Sequence, residues 1–137
     1  MRPGMQEMII AAVPVIIAIL PSAALACGAC IEDKVAATYD HAVIARAAER
    51  HHLVVFCEVS GPFAPATAVE LAASAVRVKG LVPGSVRTSL TPSAVSFVVD
   101  PAAQSPAAAA ADLQRRARVP GLRLTVVKTM QGFRFID

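Results

Sequence analysis

Three residues with soft, reactive side chains occur in this sequence of 137 residues: Cys27, Cys30 and Cys57. Cys27 and Cys30 lie three positions apart, in Cys27-Gly28-Ala29-Cys30, directly before a stretch with helical periodicity. Two thiols at this spacing can converge on one soft ion, and the dipole of the following helix stabilises their thiolate form. Two thiolates suit Cu(I), whereas structural Zn(II) takes four ligands. The spacing therefore predicts a soft-metal site at Cys27 and Cys30.

Two other interpretations of the Cys27-Cys30 pair remain open. In an oxidising compartment the two thiols can form a disulfide, either structural or redox-active. The residues before the pair, Ala24-Leu25-Ala26, also fit a loose lipobox, in which case Cys27 becomes a lipid anchor and the metal pair is lost.

Residues 1–26 have the features of a secretory signal peptide. Arg2 supplies a positive charge, Met8–Leu20 is an uninterrupted apolar run, and Ala24-Leu25-Ala26 provides small residues at a cleavage site before Cys27. The run is shorter than the roughly 20 residues that a membrane-spanning helix needs. We therefore expect a periplasmic or secreted protein with no membrane span in its mature chain.

The composition argues against several classes of protein. Hydrophobic residues make up 55% of the chain and charged residues 17%, so the bulk of the chain is not expected to be disordered. A net charge of +3, with no Trp, one Tyr and five Phe, is weak for a nucleic-acid binder, which needs clustered positive charge and stacking aromatics. The chain has no Gly-x-Ser-x-Gly, P-loop or His-Glu-x-x-His motif. We therefore expect a protein that is neither an enzyme nor a nucleic-acid binder.

Residues 27–52 form the first of two predicted segments of the mature chain. From Ile31 to about His51, apolar residues recur at the spacing of one helix face. These residues are Ile31, Val35, Tyr39, Ala42, Val43 and Ala47. The pattern predicts one continuous helix that follows the Cys pair and covers another surface or an edge of the sheet formed by the rest of the chain.

Residues 53–137 form the second segment, which alternates between strand and helix patterns. We expect strands over 53–59, 86–90, 94–99 and 122–128, helices over 66–79 and 106–118, and a short extra strand within 132–136. The apolar face predicted for the first of these helices consists of Val69, Ala72, Ala73 and Val76. This order is the ferredoxin-like βαββαβ pattern, an α+β fold with two helices on one face of a four-stranded antiparallel sheet. Leu53–Val59 is expected to be its central, buried strand.

Residues 53–128 resemble the heavy-metal-associated domain of copper chaperones, metal-transporting ATPases and periplasmic mercury-binding proteins. The resemblance is carried by Gly61 after the first strand, the step Leu81-Val82-Pro83-Gly84-Ser85-Val86, the strand ending Val99-Asp100-Pro101, and Pro120-Gly121 before the last strand. The resemblance implies the handling of copper or another soft metal, with a metal-transport or metal-delivery protein as partner.

The sequence departs from that family at the metal loop, which reads Gly-Met-x-Cys-x-x-Cys in family members. Starting from Gly61, this chain has Ala64 and Thr67 at the two cysteine positions. Neither side chain offers a soft sulfur ligand, so the usual site is missing from this loop. Cys-Gly-Ala-Cys is nevertheless a common form of the family motif, and here it is displaced to the mature N-terminus. The resemblance thus also implies Cys27 and Cys30 as the metal ligands.

The other candidate ligands are not expected to belong to the site at Cys27 and Cys30. Cys57 lies in an apolar strand and is expected to pack in the core. His51 and His52 lie at a helix–strand junction, where solvated side chains are the common case. His41 is too far along the predicted helix to share a site with Cys30, at about 16 Å.

Overall fold

The computed structural model describes residues 30–136, which form four helices and a five-stranded antiparallel sheet. The helices are α1 (Ile31–Thr38), α2 (His41–Glu49), α3 (Pro65–Ala75) and α4 (Pro106–Ala117). The strands are β1 (Leu53–Ser60), β2 (Arg87–Leu90), β3 (Ser93–Val99), β4 (Arg123–Gln131) and β5 (Arg134–Ile136). The predicted α+β class is confirmed. The predicted signal peptide and Cys27 lie outside the described residues.

The sheet has the strand order β2-β3-β1-β4-β5. β1 is central and pairs antiparallel with β3, from Leu53 opposite Val99 to Glu58 opposite Ala94, and on its other side with β4. The first four strands thus have the ferredoxin-like order, and β5 extends the edge next to β4. The prediction of a central antiparallel strand at Leu53–Val59 is confirmed, and β5 is the short extra strand expected within 132–136.

Successive side chains of β1 point to opposite faces of the sheet. Both of these faces are buried. Val55 and Cys57 belong to a core cluster that includes Leu71 of α3 and Leu113 of α4. Val54 and Phe56 belong to a second cluster with Val35, Val43 and Ile44 of α1 and α2. The near-continuous apolar run of β1 is therefore explained by a helical layer on each face.

The predicted continuous helix after the Cys pair is wrong, since the structure divides it into α1 and α2. Tyr39 and Asp40 have extended backbone conformations between the two helices. The Asp40 carboxylate accepts a hydrogen bond from the backbone N–H of Val43 at 3.2 Å, so Asp40 caps the start of α2. Tyr39 is exposed as a result, although its spacing had placed it on the buried face. The predicted coverage of another sheet surface by this segment is confirmed.

The buried face of α3 also differs from the prediction. Val69 and Val76 are 67% and 63% exposed, and Ala72 and Ala73 are exposed with them. The buried positions are Thr67, Leu71, Ser74 and Ala75. Small apolar residues surround this helix on most sides, so periodicity alone could not select the face. Leu71 is the large side chain that fills the core, and its position determines which face packs.

Within residues 30–136, no helix combines the length and the apolar character needed to cross a membrane.

Candidate functional site

Cys30 lies at the N-cap of α1, where its backbone is extended and its carbonyl accepts the first helical hydrogen bond, from Lys34 at 3.2 Å. Its side chain is half-buried. The predicted start of a helix directly after the second cysteine is confirmed. Its predicted partner ligand, Cys27, lies outside the described residues, so the structure places one member of the pair.

Charged residues in the first turn of α1 determine the electrostatics next to Cys30. Glu32 and Asp33 are both exposed there, and neither forms an ion pair with another described residue. Their carboxylates add negative charge to the helical turn that follows the thiol. Lys34 instead turns to the sheet and forms a salt bridge with Glu58 of β1, which fixes α1 against the central strand.

An open apolar groove of about 540 Å³ begins at the same turn. Its walls come from α1 and from β4 and β5, and its lining is Ile31, Glu32, Val35, Ala36, Tyr39, Lys128 and Phe135. Phe135 of β5 also contacts Phe56, with ring centroids 6.4 Å apart. Cys30 therefore precedes a surface that is mainly apolar and carries one glutamate and one lysine.

A β-bulge in β4 brings Lys128 to this groove. Phe56 pairs with Lys128, whereas the next residue, Cys57, pairs with Val126, so Val127 is the extra residue. A bulge reverses the alternation of the side chains beyond it. Lys128 and Met130 consequently lie on the face that α1 covers, whereas Leu124 lies on the face that α4 covers. Strand periodicity in the sequence gave no sign of this bulge.

The loop between β1 and α3 is organised by backbone packing. Gly61 has φ +86, and a Cβ built there would lie 2.0 Å from the Gly121 carbonyl oxygen, so only glycine fits. Thr67 is buried, and its hydroxyl accepts a hydrogen bond from the backbone N–H of Ala64 at 3.4 Å. Thr67 thus stabilises the start of α3.

Cys57 cannot join a site at Cys30. It is 1% exposed and packs in the cluster beneath α3 and α4, whereas α1 covers the opposite face of the sheet. Burial raises the pKa of the Cys57 thiol to about 12, so the group stays protonated and unreactive at neutral pH. The prediction that Cys57 packs in the core is confirmed.

The histidines occupy separate places in the structure. His41, at the start of α2, stacks on Phe133 with ring centroids 5.2 Å apart. His52 lines a different pocket, between α2 and the segment that leads into β2. Within residues 30–136, no three His, Cys, Asp or Glu side chains come together as a metal-ligand cluster. Sequence reasoning missed the pocket around His52, since its walls come from parts of the chain that are distant in sequence.

Comparisons of this chain with family models, with curated proteins and with solved structures found no significant match.

Proposed function

We propose that this protein is an exported, non-enzymatic carrier of a soft metal ion, most simply Cu(I), held by the thiolates of Cys27 and Cys30. The observation that carries the proposal is the position of Cys30 at the N-cap of α1, three residues after Cys27 in the sequence. A thiolate at a helix N-terminus is favoured by the helix dipole, and soft thiolates select Cu(I).

The surroundings of Cys30 support a role in metal transfer. Glu32 and Asp33 bring negative charge to the first turn of α1, which attracts a cation. The apolar groove that starts at Ile31 gives a metal-transport or metal-delivery protein a surface to dock on beside the ion. In the loop before α3, Thr67 stabilises the helix start and Gly61 allows close backbone packing, so neither residue serves as a metal ligand. This supports the assignment of metal binding to the N-terminal pair of cysteines.

The experiment is a Cu(I) titration of the reduced, processed protein against a chromophoric chelator. We expect one Cu(I) per chain, and we expect Cys30→Ser to weaken binding by more than about 100-fold, beyond the loss typical of outer-shell partners of a metal. Cys57→Ala is the matched control because it removes a thiol from the core, and Thr67→Ser tests the loop. Both should keep the full stoichiometry.

Three results would contradict the proposal. The first is unchanged Cu(I) binding in the Cys30→Ser variant. The second is a lipid on Cys27, which intact mass spectrometry of the recovered protein would reveal as a large mass increase. The third is a Cys27–Cys30 disulfide, two hydrogens lighter, that cannot be reduced and then loaded with Cu(I); this result would favour a structural or redox role for the pair.

A further inference from the structure

A second pocket lies away from Cys30, between α2 and the turn that leads into β2. Its volume is about 210 Å³, smaller than the roughly 300–1,000 Å³ of pockets that take drug-sized ligands. The residues that line it are Val43, Arg46, Ala47, Arg50, His52, Val82, Pro83, Gly84, Ser85 and Val98. The only charged groups among them are two guanidinium groups.

Arg46 lies on α2 and Arg50, four residues later, is the C-cap of that helix, so both side chains are presented to the same side. Neither Arg46 nor Arg50 has an ion pair or a side-chain hydrogen bond within residues 30–136. By contrast, nearby Arg87 has an ion-pair partner within the structure, since its guanidinium donates a hydrogen bond to the Asp40 carboxylate at 2.9 Å. Unpaired guanidinium groups at a pocket are suited to bind carboxylate or phosphate with two hydrogen bonds each.

The backbone places His52 opposite these arginines through a Schellman motif at the end of α2. The N–H of His52 donates to the Ala47 carbonyl at 2.9 Å, and the N–H of His51 donates to Ala48 at 3.2 Å. His51 takes the left-handed conformation that this motif requires, with φ 57. The chain therefore reverses at His51, and His52 faces the pocket at the start of β1.

His52 adds an imidazole ring to the wall of the pocket. Nδ1 of His52 is the only buried side-chain nitrogen or oxygen atom without a hydrogen-bond partner among residues 30–136. An imidazole can donate a hydrogen bond to an anion, so His52 complements the two guanidinium groups.

The opposite wall of the pocket is rigid and largely apolar. The Ser85 hydroxyl donates to the Val82 carbonyl at 2.6 Å and accepts from the Val98 N–H at 3.0 Å, so it ties the turn to β3. Val82 and Val98, together with Val43 on α2, present aliphatic surface. A ligand with an anionic head and a short aliphatic body matches this arrangement.

We propose that this pocket binds a small organic anion, with its phosphate or carboxylate head on Arg46, Arg50 and His52 and its aliphatic body against Val43, Val82 and Val98. The proposal does not depend on Cys27 or Cys30, and it adds a second binding site to the protein.

The test is a ligand titration of the protein that is recovered after expression of the full chain. Two-dimensional NMR spectra of the backbone amides are recorded at each ligand concentration. The ligands are inorganic phosphate, butyl phosphate and butyrate. We expect saturable shifts confined to the residues of this pocket, with butyl phosphate several-fold tighter than inorganic phosphate, since one buried methylene favours binding by roughly fourfold. Saturable binding of butyl phosphate or of butyrate in this pocket supports the proposal.

The variants separate a built site from general positive charge. The double variant Arg46→Ala/Arg50→Ala should weaken binding by at least about tenfold, because charge-assisted hydrogen bonds are lost. Its matched control is Arg123→Ala/Arg134→Ala, which removes the same charge from exposed positions outside the pocket. His52→Phe keeps the ring volume and removes the donor, so it should also weaken binding. Equal losses in the control, or shifts spread over the whole surface, would overturn the proposal.

Discussion

At the scale of single residues, two cysteines of the same sequence lie in different surroundings. Cys30 lies half-buried at a helix start, whereas Cys57 lies among apolar side chains in the middle of the sheet. Desolvation disfavours a thiolate at Cys57 and raises the pKa of its thiol to about 12. A reagent or an ion that needs a thiolate should therefore discriminate strongly between the two positions.

The first residue-scale prediction is that Cys57 does not react with iodoacetamide in the folded protein. Alkylation of Cys57 should require unfolding and should proceed at the rate of an ordinary thiol in denaturant. Peptide mass spectrometry after timed alkylation, with and without denaturant, measures both rates. Rapid alkylation of Cys57 under native conditions would show that the strand is not buried as described.

The pKa of Cys57 also predicts a loss of stability at alkaline pH. The folded-state pKa is raised above the ordinary value of 9.0, so the contribution of the protonated thiol to stability is fully present below pH 9. It is lost progressively as the pH rises from there towards 12. Cys57→Ala should show a shallower alkaline decline in the free energy of unfolding than the unaltered protein, as measured by urea titration at several pH values.

At the scale of elements, the division between α1 and α2 depends on Asp40. Its carboxylate caps α2 and also accepts a hydrogen bond from Arg87 of β2 at 2.9 Å, so one side chain joins the helix start to the sheet. The hydrogen bond from Arg87, with a smaller effect of the bond from Val43, holds the pKa of Asp40 below its ordinary value. The boundary between α1 and α2, which the periodicity of the sequence did not reveal, is thus stabilised by a local helix cap and by a long-range ion pair.

The element-scale prediction concerns the acid side of the stability profile. Because the folded-state pKa of Asp40 is depressed, its contribution is present above the unfolded value of about 3.9 and is lost as the pH falls through the folded value. Asp40→Asn should therefore lower the free energy of unfolding at pH 7, and the difference should shrink at pH 2–3. Asp100→Asn, which removes the charge of a carboxylate that accepts a hydrogen bond from the backbone N–H of Ala102, is the comparison variant. A pH-independent difference for Asp40→Asn would contradict this account.

At the scale of the whole molecule, β1 couples two cores. Phe56 packs beneath α1 and α2, and Phe97 of β3 packs beneath α3 and α4, and each is essentially inaccessible. Because both cores share the central strand, the loss of one helical layer exposes one face of that strand to water. We therefore expect the two layers to unfold together.

The corresponding prediction compares Phe56→Ala with Phe97→Ala. Each substitution should cost about 3–5 kcal/mol, since each removes a buried aromatic ring. Hydrogen exchange measured by mass spectrometry should then show faster exchange in all four helices for either variant. Faster exchange in α1 and α2 alone after Phe56→Ala would show that this layer unfolds independently of the sheet.

The sequence by itself determined the elements whose signals are local. The apolar run from Leu53 and the order of strands and helices were sufficient to predict an α+β antiparallel sheet with β1 at its centre. They also predicted the helix start directly after Cys30. These features depend on hydrogen bonds and side-chain alternation within a few residues, which a pattern in the sequence records directly.

Only the tertiary structure decided the features that depend on contacts between distant segments. The buried face of α3 follows from the fit of Leu71 into the core, which an alanine-rich helix does not reveal. The bulge between Lys128 and Val126 follows from the register of β4 against β1. The pocket at His52 joins α2 to a turn more than thirty residues later. Such features arise from packing and strand register, whose free energies belong to pairs of segments and not to either segment alone.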